Sequence, residues 1–154
     1  MVAKANACNI NDVFVSCPFH DTAKLFFYKK FPAATALADE KAAYDSIALI
    51  DCEESVLGID HAEAGSLIIN PWHLGPSIGL AIQNHHRPYA KFSNDKLSCI
   101  VAFANQLAHQ MEKPDDARYE LDGDLANFLN LTPSSCLIST VLSQPASLPI
   151  SIVF

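Results

Sequence analysis

Four histidines and one aspartate form the pattern in this sequence that is best suited to chemistry. His20 is followed directly by Asp21, His61 lies farther along the chain, and His85 and His86 are adjacent. Neutral imidazole nitrogens and ionised carboxylates are typical ligands of divalent transition metals. The same side chains can also hydrogen-bond one another as a buried polar network, and spacing alone does not distinguish the two arrangements.

Helical periodicity predicts that two of these histidines point into the core. Residues spaced i, i+3, i+4 and i+7 share one helix face. One such set comprises His61, Ala64, Gly65 and Ile68, and a second comprises Ile78, Ala81, Ile82 and His85. The glycine in the first set permits another helix to approach closely. An unpartnered buried polar group costs about 1–3 kcal/mol, so both imidazoles are expected to have partners.

The elements that must position these side chains are predicted to be helices, so the fold class is all-α, a compact multi-helix bundle. Alternating strand-like runs are nearly absent, whereas apolar residues recur at helical spacing. The predicted helices cover approximately residues 11–16, 20–31, 33–43, 46–57, 61–69, 76–86, 95–111, 122–129 and 133–142, and an irregular tail follows at 143–154. Asp60 and Glu63 have the spacing of a capping box, and Asn94 or Ser93 is predicted to cap the long helix.

Length, charge and cysteine content exclude several classes of protein. The 154 residues suit one domain, and 50% of them are hydrophobic, which is sufficient for a sizeable core. The net charge of −7, without a basic stripe, argues against binding to nucleic acid or to anionic lipid. No apolar run has membrane-spanning length and the N-terminus lacks a signal-peptide core, so a cytoplasmic protein is expected. The five cysteines form no CxxC pair, which argues against a disulfide framework.

Three stretches of the sequence contain these residues. Residues 15–25 contain His20-Asp21, residues 54–88 contain His61 with His85-His86, and residues 100–108 contain Asn105. Together they resemble the HDOD family, the HD-related output domain of bacterial signalling proteins, which belongs to the HD superfamily. The resemblance covers approximately residues 10–112 and is most specific in the middle stretch. It implies one HD-like helical domain over residues 1–154. By matching positions it also implies a set of metal ligands comprising His20, Asp21, His61, His85 and His86, with Lys24 as a candidate contact for a substrate phosphate.

The sequence departs from the metal-dependent phosphohydrolases of the superfamily at four places. No histidine precedes His20, and Asn105 stands where these enzymes have a ligand aspartate. Ala23 replaces the glycine after the His-Asp pair, and Arg87-Pro-Tyr-Ala replaces the Gly-Tyr-Pro motif of the related HD-GYP enzymes. An amide is a poorer ligand for a hard cation than a carboxylate. A single metal ion could still be held, whereas a two-metal centre is not expected. The N-terminal helices of a full HDOD domain are also expected to be missing.

These departures favour a non-catalytic signalling, regulatory or scaffold module in which the histidines form a vestigial polar cluster. A metal-dependent phosphohydrolase is the alternative, with His86 completing the ligand shell or steering phosphate and Lys24 contacting it. A protein that binds a small ligand in a cavity is the third possibility. No cofactor is expected apart from a possible divalent metal ion.

A missing N-terminal segment would leave an apolar face exposed, which predicts a protein partner, most simply a second copy of the chain. The candidate residues for this face are Phe26, Phe27, Tyr28 and Phe31, unless they are ordinary core. Three other residues are given minor roles. Trp72 is predicted to pack between helices, His109 to be exposed or capping, and Glu54 to be a candidate to cap or pair near the histidines.

Overall fold

The computed structural model describes residues 8–91, 94–113 and 120–131, and these residues form a helical bundle. The helices are α1 (Ile10–Phe19), α2 (Thr22–Lys30), α3 (Pro32–Asp45), α4 (Leu49–Leu57), α5 (His61–Ile69), α6 (Pro76–Asn84), α7 (Lys96–Glu112) and α8 (Gly123–Phe128). Short 3₁₀ turns occur at Asn70–Trp72 and Tyr89–Lys91. No strand occurs in the described residues, and the predicted all-α fold is confirmed. The predicted helix at 133–142 and the tail at 143–154 lie outside them.

Local sequence explains where the central helices begin and end. The Asp60 carboxylate accepts the backbone N–H of Glu63 at 2.8 Å and so caps α5, as predicted. Gly58 ends α4 with a φ of 77°, a left-handed conformation that glycine adopts without strain. The N-cap of α7 is Asp95, so the capping role predicted for Asn94 is wrong, and the alternative, Ser93, lies outside the described residues. The Asp95 carboxylate accepts a hydrogen bond from the Ser98 hydroxyl in the first turn of that helix.

The core lies around α6, which packs against α5, α7 and α1. Its fully apolar cluster comprises Ile69, Ile78, Ala81, Ile82, Leu97 and Val101. α2 also packs against α5, and α3 pairs with α4. A second cluster joins α8 to α7 through Leu125 and Phe103. The helices α2, α5 and α6, which carry or adjoin the predicted ligands, are therefore neighbours.

A glycine permits the closest of these approaches. A Cβ atom at Gly65 would lie 3.1 Å from Ile82 Cγ2 of α6 and 3.6 Å from the backbone carbonyl oxygen of His20. The 3.1 Å separation is tighter than ordinary van der Waals contact, and the 3.6 Å separation is an ordinary contact. Gly65 therefore allows α5 to lie directly against α6 and the start of α2, as its sequence spacing predicted.

The aromatic residues differ in part from prediction. Phe27 is only 3% exposed and belongs to the core, so its assignment to an exposed face is wrong. Phe26, Tyr28 and Phe31 are 42%, 51% and 50% exposed. Trp72 meets the ring of Phe19 in α1 edge to face. Its side chain is 49% exposed, so it is not buried between helices as predicted. None of the described helices is long and apolar enough to cross a membrane.

Candidate metal centre

Four potential metal ligands from three segments of the chain converge at one point. Asp21 lies in the turn before α2, His61 is the first residue of α5, and His85 and His86 follow the last residue of α6. One ligand atom from each of the four lies within 4.8 Å of the others. Within the described residues this is the one group of three or more such side chains that could hold a metal ion.

Neighbouring acceptors turn two of the imidazole rings so that their Nε2 atoms face this point. His61 Nδ1 donates to a carboxylate oxygen of Glu53 at 2.5 Å, and His85 Nδ1 donates to the carbonyl oxygen of Ile82 at 2.6 Å. A carboxylate and a carbonyl only accept hydrogen bonds, so the proton of each neutral ring is on Nδ1. The lone pair is then on Nε2, which is the arrangement found in metal-binding histidines.

The converging atoms are buried and lack hydrogen-bond donors. Asp21 Oδ1 and the Nε2 atoms of His61, His85 and His86 have no hydrogen-bond partner. Asp21 Oδ1 lies 3.3 Å from His61 Nε2 and 3.5 Å from His85 Nε2. Asp21 Oδ1 and the Nε2 lone pairs of His61 and His85 repel one another unless a cation or a proton lies among them. The three nitrogens and one oxygen fit a divalent transition-metal ion.

A proton on His61 satisfies only part of this cluster. Burial opposes charge on His61, but the adjacent carboxylates of Asp21 and Glu53 outweigh burial and raise its pKa. Burial lowers the pKa of His85, and burial with the neighbouring His85 and His61 lowers the pKa of His86 well below its ordinary value. The Nε2 lone pair of neutral His85 therefore remains without a donor, and His86 Nε2 also has no hydrogen-bond partner.

The second oxygen of Asp21 faces two other side chains. Asp21 Oδ2 accepts a hydrogen bond from Lys24 Nζ at 2.9 Å and lies 3.4 Å from His20 Nε2. Burial raises the pKa of Asp21, but His61, His85, Lys24 and His20 outweigh burial and hold that pKa far below its usual range. Asp21 is therefore ionised, which is the form that binds metal.

His20 is the one predicted ligand outside the converging group. Its Nδ1 atom donates to the carbonyl oxygen of Cys17 at 2.5 Å, and its ring meets His85 edge to face. His20 therefore contacts the ring of His85 and the second carboxylate oxygen of Asp21, but neither of its ring nitrogens is among the converging ligand atoms.

Glu53 was not predicted to contact the histidines, whereas its neighbour Glu54 was named as a candidate. Glu54 is exposed, whereas Glu53 is 2% exposed and accepts both the backbone N–H of His61 at 2.9 Å and its ring Nδ1–H. A signal for this residue existed in the sequence. Leu49, Cys52, Glu53 and Val56 have the spacing i, i+3, i+4 and i+7, so Glu53 interrupts an apolar helix face.

A cavity of about 400 Å³ adjoins the converging ligands. We call it the histidine cavity; its lining includes His61, His85 and His86 together with the polar or charged residues Lys24, Asp39, Arg87, Asn105, Gln106, His109, Lys113 and Glu120. His109 is half-buried there and stacks at 6.5 Å on His86, so its predicted exposure is wrong. A larger and more open hollow of about 540 Å³ between α5 and α6 is lined by none of the converging ligands.

Comparisons with known proteins agree with this architecture. A family model described as the HDOD domain matches residues 1–88. A crystal structure from Shewanella amazonensis SB2B, described provisionally as a phosphohydrolase, is 26% identical with a TM-score of 0.62. That match covers 78% of this chain and 44% of the other, so the chain spans less than half the length of that protein. No curated protein matches the chain.

Proposed function

Because the chain belongs to the HDOD family, we propose that it is an HD-type regulatory module that holds one divalent transition-metal ion. The proposed ligands are Asp21 Oδ1 and the Nε2 atoms of His61, His85 and His86. The observation that carries the proposal is that these four buried ligand atoms converge and that none of them has a hydrogen-bond partner. A vestigial polar cluster would instead be expected to pair its donors with its acceptors.

The number of protein ligands favours a structural rather than a catalytic ion. Zinc in structural sites has four protein ligands, whereas catalytic zinc keeps a position open for water or substrate. Asp21, His61, His85 and His86 would fill all four positions of a tetrahedral ion. The ion would then join the start of α2 to α5 and to the end of α6, and thereby fix the surface that the module presents to a partner.

Metal content tests this proposal directly. Protein purified without added metal and without an affinity tag is expected to contain about one transition-metal ion per chain by elemental analysis. His61→Ala is expected to lose this ion. His73→Asn is the matched control, because His73 is exposed and asparagine tolerates its left-handed φ of 53°. Wild-type protein that contains no metal and binds none on addition would contradict the proposal.

A metal-dependent phosphohydrolase is the second candidate, and the histidine cavity favours it. An ion of higher coordination number, such as manganese or iron, has positions left for substrate oxygens and acts as a Lewis acid on a phosphoryl group. Lys24 and Arg87 line the cavity beside the ligands; each is paired with a carboxylate, Asp21 and Asp60 respectively, and would have to share its N–H donors with a phosphate. The similar protein from Shewanella amazonensis SB2B carries a phosphohydrolase description.

Turnover distinguishes the two candidates. Hydrolysis of a generic phosphodiester with added manganese, abolished in Asp21→Asn and retained in His73→Asn, would support the enzyme. A stoichiometric ion without hydrolysis would support the regulatory module. The assay uses purified full-length chain, so that both outcomes refer to the protein whose metal content has been measured.

A further inference from the structure

We propose that the ion pair between Arg87 and Asp60 is a positioning device that sets the separation between His61 and the His85–His86 pair. The proposal rests on the metal site proposed above and concerns two residues that bind no metal themselves. It assigns Arg87 to the architecture of the site rather than to the recognition of a ligand.

Asp60 joins two segments of the chain through its two carboxylate oxygens. Its side chain is 2% exposed. Oδ1 accepts the backbone N–H of Glu63 at 2.8 Å and caps α5, while Oδ2 accepts a hydrogen bond from the guanidinium of Arg87. A buried carboxylate requires such partners on both oxygens. The pair is therefore a specific tertiary contact rather than a surface ion pair.

The neighbours of this pair in the sequence are the proposed ligands. Asp60 directly precedes His61, and Arg87 directly follows His86. The ring centroid of His61 lies 5.3 Å from that of His85 and 4.9 Å from that of His86. The contact between Asp60 and Arg87 thus holds the backbone at His61 and the backbone at the His85–His86 pair at the separation that brings the imidazoles together.

The paired histidines need an external anchor because they lie beyond the regular helix. α6 ends at Asn84, and the backbone then turns so that the N–H of Arg87 donates to the carbonyl oxygen of Asn84 at 2.8 Å. Backbone groups past a helix end are not held by the helical hydrogen-bond ladder. Arg87 attaches this turn to α5, and Asn84 Nδ2 attaches its other side to α7 through the Ser98 hydroxyl at 3.3 Å.

Arg87 also lines the histidine cavity, so an anion-binding role is the competing interpretation. Asp60→Asn separates the two roles. It removes the ion pair and leaves the charge of Arg87 in place, while the amide oxygen can still cap α5. A positioning role predicts that Asp60→Asn weakens metal binding, whereas an anion-binding role predicts that it does not.

Calorimetric titration of metal-free protein with zinc or manganese is the primary test. Arg87→Ala and Asp60→Asn are each expected to lower the affinity for metal about 10–100-fold, as for other residues that orient ligands. The double variant should lose no more than either single variant, because both changes remove the same contact. Arg87→Lys should recover part of the affinity. Lys91→Ala is the matched control, since it removes the same charge from an exposed position close to the same turn.

A second readout does not depend on metal. Imidazole nitrogen NMR spectra of the metal-free protein are expected to shift for His61, His85 and His86 in Arg87→Ala and Asp60→Asn, but not in Lys91→Ala. If Arg87→Ala fails to fold, Asp60→Asn and Arg87→Lys provide the same comparison.

The two proposals fail in different ways. Wild-type protein that binds no metal refutes the metal site, and the NMR comparison then decides the positioning role by itself. Wild-type protein that binds metal, with folded variants of unchanged affinity and unchanged imidazole spectra, refutes the positioning role alone. Additive losses in the double variant, or reduced affinity for inorganic phosphate with intact metal affinity, also overturn it.

Discussion

At the scale of single residues, Asp21 combines two sets of partners on one carboxylate. Oδ1 faces the histidine nitrogens, and Oδ2 contacts Lys24 Nζ at 2.9 Å. Burial raises the pKa of Asp21, but His61, His85 and the charge of Lys24 outweigh burial and lower that pKa, so the oxygen directed at the histidines carries negative charge. Glu53 has the complementary role behind His61, because its carboxylate holds the ring in the tautomer whose lone pair faces Asp21.

Glu53→Gln tests this orienting role. The amide keeps the size of the side chain but loses the charge that favours a proton on His61 Nδ1, so metal affinity is expected to fall about 10–100-fold. Glu54→Gln makes the same chemical change at the adjacent exposed position and should leave the affinity unchanged. Isothermal titration of the two metal-free variants measures the difference, and equal affinities would refute the role given to Glu53.

At the scale of elements, the site depends on how closely α5 lies to α6 and α2. Gly65 permits this approach, since a Cβ atom there would lie 3.1 Å from Ile82 Cγ2. α3 and α4 pack on each other, and the pair is linked to α2 by a hydrogen bond from the Tyr28 hydroxyl to Asp39 at 2.6 Å. Ligand geometry is therefore set by helix separation as well as by the ligand residues themselves.

Gly65→Ala should separate these helices. The extra methyl group must displace Ile82, which is expected to lower the free energy of unfolding by about 1–3 kcal/mol. It should also weaken metal binding, because His61 and His85 are carried by the displaced helices. Gly79→Ala is the control within α6: its Cβ would meet only Ser66 Oγ at an ordinary 3.5 Å, and alanine should stabilise the helix by about 0.5–1 kcal/mol. Urea denaturation of both variants measures whether the free energy of unfolding falls in Gly65→Ala and rises in Gly79→Ala. A Gly65→Ala protein as stable as wild type would contradict the tight packing.

The contact between α2 and α3 should be visible in the titration of a tyrosine. The hydrogen bond to Asp39, aided by burial, raises the pKa of Tyr28 to about 12. The neutral phenol is the donor, so the stabilisation is fully present below the ordinary pKa of 10 and is lost as the pH rises through about 12. In Asp39→Asn the pKa should fall toward the ordinary value. Ultraviolet titration with Tyr28→Phe identifies the phenol concerned, and an unchanged late titration in Asp39→Asn would argue against the hydrogen bond.

At the scale of the whole molecule, the proposed ion joins segments that are distant in the sequence. Asp21, His61 and the paired histidines belong to different helices or their ends, so binding requires the folded arrangement. A ligand that binds only the folded state stabilises that state by mass action. If the proposed ion binds, the free energy of unfolding of the chain depends on the metal concentration.

Thermal denaturation with and without metal tests this coupling. At a free metal concentration about one hundred times the Kd, the stability should increase by about 2.7 kcal/mol. The increase should disappear in His61→Ala and persist in Lys91→Ala. Equal shifts in wild type and His61→Ala would show that the metal acts elsewhere.

Self-association remains a prediction at this scale. The ring centroids of Phe26 and Phe31 lie 6.2 Å apart in an edge-to-face arrangement, and both side chains are substantially exposed, whereas Phe27 belongs to the core. Sedimentation velocity over a range of protein concentrations measures the oligomeric state. A dimer in wild type that dissociates in Phe31→Ser would support the exposed aromatic face, and a monomer at all concentrations would contradict it.

Local pattern was sufficient to predict the helices and the inward direction of two ligands. The apolar spacing around His61 and His85 depends only on helical periodicity, and the Asp60 cap depends only on residues within one turn. The limits of the helices were less exact, since α1 continues through Pro18 to Phe19 and α4 begins at Leu49. Such ends depend on tertiary contacts as well as on local preference.

The sequence by itself determined the helical class, the HDOD resemblance and the inward placement of His61 and His85, because each follows from spacing within short segments. Only the tertiary structure decided that His86 joins the converging group while His20 faces the other oxygen of Asp21. It also decided that Glu53 rather than Glu54 orients His61, and that Arg87 reaches Asp60. These are contacts between residues on different helices, and their distances depend on how the helices pack rather than on the order of residues along any one of them.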